Sequence, residues 1–250
     1  MATDSFPLPN RVLEPGVNVT IAQGGPSTGK TTLAVAIADT KASEGKKVLL
    51  CAPTQDGLEE LVHEFEERAG CDPDVWVLFD GEQIADSDDI RTFSYELRQR
   101  IAQWADDPDN EASQFAKDYL NAMQQGDQDP ARTPRLKVLH SILATKLLSC
   151  LTYVLCAMPS PAIDPLLVKA FKFDILIIDN AHTGQLDDFA KIARAHKGKF
   201  DEVLLLGTSE ATEGGTAPNA GFVAMSDHFL QMSEGDERYK VWDLKTVYAK

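Results

Sequence analysis

Val17-Asn18-Val19-Thr20-Ile21-Ala22-Gln23, then Gly24-Gly25-Pro26-Ser27-Thr28-Gly29-Lys30-Thr31, then a run from Thr32 that is apolar at Leu33, Val35, Ala36, Ile37 and Ala38 and stops near Gly45: the fold is decided here. The β-branched residues on alternate positions of 17–23 predict a strand. The apolar run predicts a largely buried helix with a glycine stop. The eight residues between match G-x-x-x-x-G-K-[ST] in full, in the strand-before, helix-after context that such a loop requires. Glycines let the backbone approach a phosphate chain and aim its N–H groups inward, and the helix N-terminus adds favourable partial charge. Lys30 is placed to reach the β and γ phosphates and the Thr31 hydroxyl to ligate Mg²⁺. Gly24, Gly25, Pro26, Ser27, Thr28, Gly29, Lys30, Thr31 and Thr32 are therefore the expected nucleotide-binding residues, for ATP or another NTP with Mg²⁺. The competing reading is a glycine-rich turn with an incidental lysine.

Outward from the loop, apolar strands alternate with helices. Strands are expected at 46–53, 75–79, 151–157, 173–179 and 201–207, and a final one at KVWDL, 240–244. Gly57 to Gly70 carries Leu58, Leu61, Val62 and Phe65 on one face and reads as an amphipathic helix, and LDDFAKIARAH as another. Strands that are apolar throughout, separated by helices, indicate a mainly parallel sheet covered on both faces. Between Asp80 and Pro130 the character changes, with 13 acidic against 4 basic residues. Two helical stretches, IRTFSYELRQRIAQW and EASQFAKDYLNAMQQ, precede a third at about 132–149. The expected organisation is an N-terminal arm at 1–16, an α/β core at 17–79 and 150–250, and an acidic helical insertion at 80–149.

Composition narrows the function classes. A formal charge of −15 opposes non-specific attraction to nucleic acid, whose phosphates need Lys and Arg partners. A local basic groove would escape that argument. No apolar run reaches the ~20 residues needed to span a membrane. The N-terminal MATDSFPLPNRVLEPG lacks a basic region followed by an apolar stretch, so a cytoplasmic or nuclear location is expected. Cys51, Cys71, Cys150 and Cys156 form no CxxC pair and no zinc spacing, which fits reduced, mostly buried thiols. The acidic insertion is either a surface for a protein partner or a set of solvated helix faces.

Asp179 ends the apolar run ILIID. Beside a phosphate loop, an acid at the end of a neighbouring strand holds Mg²⁺, usually through water; otherwise it caps the turn that follows. With Asp179 in view, four segments resemble superfamily 1 helicases in order and spacing: GGPSTGKTTL, VLLCAPTQDGLEELVHEF, FDILIIDNAH and VLLLGTSEATEGG. The likeness is to the group containing the nonsense-mediated-decay helicase and senataxin, whose segments read GPPGTGKT, VLVCAPSNxAVDxL, IIDEA and LVGDxxQLPP. The terminal DLKTVYAK resembles the LxxQYRM segment that closes the family's first motor domain, and the insertion falls where the family inserts a helical element. The resemblance implies a RecA-like P-loop NTPase fold over nearly the whole chain, corresponding to the first of two motor domains.

The departures from the family pattern concern catalysis. The acid pair after the strand is Asp179-Asn180, and the second acid is the one that activates the attacking water. An amide offers no basic lone pair for that proton. Thr208 replaces the Asp and Ala211 the Gln of GDxxQ, and Val247 and Ala249 replace the Gln and Arg of QYR. No Gln-containing adenine motif precedes Val17. Lys30 and Asp179 are the catalytic candidates that remain, with Asn180 in place of the general base. Three functions follow: a nucleotide-binding domain with weak or lost hydrolysis; an active ATPase using Glu210, Glu213, Asp187 or Asp188 as a substitute base; or the first half of a nucleic-acid translocase. His182 is read as a packing or hydrogen-bonding residue. A metabolic kinase would need an arginine-rich lid, and no such segment is present.

Overall fold

The computed structural model describes residues 13, 16–25, 27–68, 76–79, 92–124, 134–208 and 236–244. Seven strands run in one direction: β1 (Asn18–Gln23), β2 (Val48–Ala52), β3 (Trp76–Phe79), β4 (Tyr153–Ala157), β5 (Ile175–Ile178), β6 (Glu202–Gly207) and β7 (Tyr239–Asp243). They form a single sheet in the order β3-β4-β2-β5-β6-β1-β7, every pair parallel. Among the described residues seven α-helices accompany them: α1 (Lys30–Ser43), α2 (Gln55–Arg68), α3 (Phe93–Asp106), α4 (Ser113–Gln124), α5 (Pro134–Cys150), α6 (Pro165–Ala170) and α7 (Leu186–Ala195). This is the α/β, RecA-like arrangement expected of the sequence.

Both faces of the sheet are dry because its inner strands are apolar on both. All five residues of β2 and all four of β5 are buried. On one face Val48, Leu50 and Ala52 pack with Ala34, Val35 and Ala38 of α1 and Leu58, Leu61 and Phe65 of α2. On the other, Leu49 and Cys51 join Val154, Cys156 and the aliphatic faces of α3 to α7. Each such side chain contributes about 1.5–3 kcal/mol by leaving water. The helices between β3 and β4 share this second core: Leu97, Ile101 and Trp104 of α3 and Leu136, Leu143 and Leu147 of α5 sit in the same cluster as Val77 and Phe79 of β3. Thr92 joins the two regions. It bridges Leu78 of β3, and its hydroxyl caps α3 by accepting from the Tyr95 amide at 3.3 Å.

Helix α6 was not anticipated from sequence. Its six residues are too few for a periodic signal, but Asp164 before Pro165 is an N-cap and first-turn pair. Asp164 accepts from Leu166 N–H at 2.7 Å. Cys51 and Cys156 are buried and Cys150 is exposed; Cys71 lies outside the described residues.

Candidate functional site

All strands being parallel, the segments after β2, β5, β6 and β1 emerge side by side at one edge of the sheet, in that spatial order. Ligands of open parallel sheets bind at this carboxyl edge. The order places the start of α2, then Asp179 and Asn180, then Thr208, then the glycine-rich loop.

Neighbouring strands clamp the loop. Gly24 N–H donates to Gly207 O at 3.1 Å, and Leu244 N–H donates to Gln23 O at 2.6 Å. A Cβ on Gly24 would stand 2.5 Å from Thr28 Oγ1 and 3.0 Å from Leu244 Cβ, so a side chain there has no room. Gly29 turns the chain into α1 at φ 76°, in the left-handed region that glycine occupies without strain. Ser27 also has positive φ, at 56°. Helix α1 begins with no side-chain cap and no acidic residue in its first turn. Its leading amides therefore meet no built-in anion, and the helix end is favourable for one from outside. Pro26 lies outside the described residues.

Lys30 folds back over the loop. Its ammonium donates to Gly25 O at 2.6 Å and to Gly24 O at 2.9 Å, with Thr28 Oγ1 at 3.5 Å. Burial lowers its pKa, and the negative charge of Asp179 opposes that shift. Thr31 hangs from the first turn of α1 and donates its hydroxyl to Asp179 Oδ2 at 2.7 Å. Asp179 is fully buried, and its other oxygen, Oδ1, has no hydrogen-bond partner. Burial pushes the Asp179 carboxyl above the usual carboxylate range; Thr31, the Asn180 N–H and Lys30 pull it down, and the charge of Glu60 adds to the rise.

A buried carboxylate oxygen without a partner is costly, by about 1–3 kcal/mol or more when charged, and it is rare in folded proteins. A cation placed there would satisfy it. The donors present are a hydroxyl and a carboxylate, hard oxygens of the kind Mg²⁺ takes. Among the described residues no three His, Cys, Asp or Glu converge.

Asn180 is built differently. Its backbone is left-handed, at φ 51° and ψ 33°, and its carbonyl accepts from Thr183 N–H and Thr183 Oγ1, both at 2.9 Å. Asn tolerates this conformation better than Glu does. Its side-chain amide lies against the first turn of α2, 3.2 Å from where a Cβ on Gly57 would stand. His182 follows in the same short turn. Burial and then the charge of Lys30 lower its pKa. Thr208 is buried immediately after β6.

Of the acids expected as substitute bases, Asp187 and Asp188 are engaged elsewhere, both paired to Lys191, at 3.1 and 2.9 Å. Glu210 and Glu213 lie outside the described residues, as do Ala211, Val247 and Ala249.

No known family profile matches the chain, and no curated protein matches it. Among solved structures, the crystal structure of the C-terminal domain of a possible DNA helicase from Lactobacillus plantarum WCFS1 is similar at a TM-score of 0.39 and 10% identity, over 92% of this chain and 89% of that one. An overlap of that size leaves function to the geometry of the site itself. Among the described residues no helix is long and apolar enough to cross a membrane.

Proposed function

We propose that this domain binds a nucleoside triphosphate, ATP or another NTP, together with Mg²⁺, and hydrolyses it slowly. One observation carries the reading. Thr31 and Asp179 meet at 2.7 Å beside the lysine of the loop, while the second oxygen of that buried carboxylate is left without a partner. The phosphates would lie along the amides of residues 24–32, with Lys30 exchanging one of its loop carbonyls for a phosphate oxygen. Thr31 and Asp179 would hold the cation. Magnesium, when bound, neutralises charge on the β and γ phosphates. Hydrolysis is weak on this reading because Asn180 stands where a carboxylate would take the proton of the attacking water.

The resemblance to helicases of the nonsense-mediated-decay and senataxin group supports a finer version, in which the chain corresponds to a first motor domain with eroded catalysis. Such a domain alone would not unwind a duplex, because a strand is gripped between two of them. The net charge of −15 weighs against tight strand binding, and the acidic insertion is the proposed surface for any protein partner.

Titration calorimetry with ATP, with and without Mg²⁺, tests the proposal. Wild type should bind in a Mg²⁺-dependent manner, and Lys30→Ala should weaken binding by more than about 100-fold, the loss of a charge-assisted contact in a dry site. Wild-type protein that shows no Mg²⁺-dependent binding would overturn the proposal. Turnover at a rate of about 10 s⁻¹, ordinary for an enzyme, would overturn its second half.

A further inference from the structure

On the reading proposed above, which this inference rests on, the cation and the γ end of the triphosphate lie at Asp179, just after β5. Phosphates running along the amides of 24–32 then lead away from β5, across β6 to β1, and the nucleoside leaves the loop on its far side. The strand on that side is β7, at the edge of the sheet. It lies three strand spacings from β5, about 14 Å, a span that an extended nucleoside triphosphate covers.

The end of β7 is tied to the loop. Leu244 N–H donates to Gln23 O at 2.6 Å, and a Cβ on Gly24 would stand 3.0 Å from Leu244 Cβ. Alternation along the strand sorts its side chains. Tyr239 packs against the core that holds α3 to α7, and Leu244 against the core that holds α1 and α2. Trp242 pairs in register with Ala22 of β1, a member of the α1 core. It therefore lies on the α1 side with Leu244, about 7 Å back along the strand. A tryptophan has a large apolar area to hide, yet Trp242 is 40% exposed. The other exposed large apolar side chains among the described residues, Tyr95, Phe115, Val138 and Ile142, all lie on α3, α4 and α5. Trp242 alone of these stands beside the loop, on the side where the nucleoside emerges.

We propose that Trp242 is the base-stacking residue of this site, its indole face packing against the nucleobase while the loop holds the phosphates. Stacking uses a π face, which every base has, so the contact tolerates a change of base. The ligand class is a purine nucleoside triphosphate, with the indole serving adenine and guanine alike.

Calorimetric titration of the full chain with Mg-ATP, Mg-GTP and Mg-tripolyphosphate, the last a phosphate chain without a nucleoside, tests this. Wild type should bind both nucleotides more tightly than tripolyphosphate. Trp242→Ala should weaken both nucleotides by about 10-fold or more, the usual cost of losing one base–aromatic stack, and leave tripolyphosphate within about twofold. Trp242→Phe should keep most of the nucleotide affinity. Four results would overturn the assignment: unchanged nucleotide affinity in Trp242→Ala, a loss confined to one purine, an equal loss for tripolyphosphate, or wild type holding tripolyphosphate as tightly as ATP. The last leaves the phosphate site standing, whereas failure of wild type to bind any of the three ligands would remove the nucleotide reading and this one together.

Discussion

The two flanks of Asp179 differ in how their geometry is made. Toward β1, the loop, Lys30 and Thr31 form a dense set of short polar contacts. Toward β2, Asn180 and Gly57 meet through an amide and an absent side chain. On the proposed reading the first flank holds charge and the second presents an amide where a carboxylate would act. Binding and turnover should therefore separate cleanly by mutation, and that separation can be broken or sharpened at several positions.

The largest expected effect is at Asp179. Replacement by Asn removes a buried charge without changing shape. Mg²⁺-dependent enhancement of nucleotide binding should disappear, while the nucleotide-free protein becomes more stable by about 1 kcal/mol, roughly 2–4 °C in Tm for a chain of this size. Such a trade-off is common where a site is strained for function. The pH dependence has a defined sign. The folded-state carboxyl titrates above 3.8, so it binds its proton more readily folded than unfolded. Its cost to stability is absent below that value and develops as pH rises through the window up to the raised pKa. Mg²⁺ needs the ionised form, so metal-dependent affinity should grow over the same window. A Tm that falls in Asp179→Asn would show that the carboxylate is structural.

Next in size is the restoring substitution Asn180→Glu. By analogy with the family it should increase hydrolysis, but the left-handed backbone at 180 resists it. Glu there costs about 1–2 kcal/mol, so a lower Tm is expected with little gain in rate, whereas Asn180→Gly should be close to neutral in stability. A rise of tenfold or more in turnover for Asn180→Glu would mean that the turn relaxes easily and that the amide alone limits hydrolysis.

The same contrast explains what could be read from the residues. The loop is contiguous, and its chemistry needs a fixed spacing, so 24–31 declared itself before any coordinates. The sheet did likewise, because β2, β4, β5 and β6 are unbroken apolar runs that can be nothing but buried strands in a chain punctuated by helices. The hydroxyl-to-carboxylate contact between Thr31 and Asp179 spans 148 positions and follows only from the β1-β6-β5 order. The conformation of Asn180 was equally hidden, because an amide in place of an acid reads as loss of function, whereas the turn explains why Asn suits the position.

The smallest effect, and the finest probe, is Gly57→Ala. A methyl group there would stand 3.0 Å from Thr54 Oγ1 and 3.2 Å from Asn180 Nδ2, both of them side-chain ends that can yield. Helix propensity gains up to about 1 kcal/mol, so net stability should stay within about 0.5 kcal/mol of wild type, read as a Tm shift of under about 2 °C. Nucleotide affinity should not move, because the atoms nearest that methyl group belong to Thr54, Asn180 and Ala52 rather than to the loop. Turnover should fall more than affinity, since the methyl group would press on the Asn180 amide. Affinity that drops together with turnover would mean that the two flanks respond as one unit, with α2 helping to hold Asp179 in place rather than only facing it.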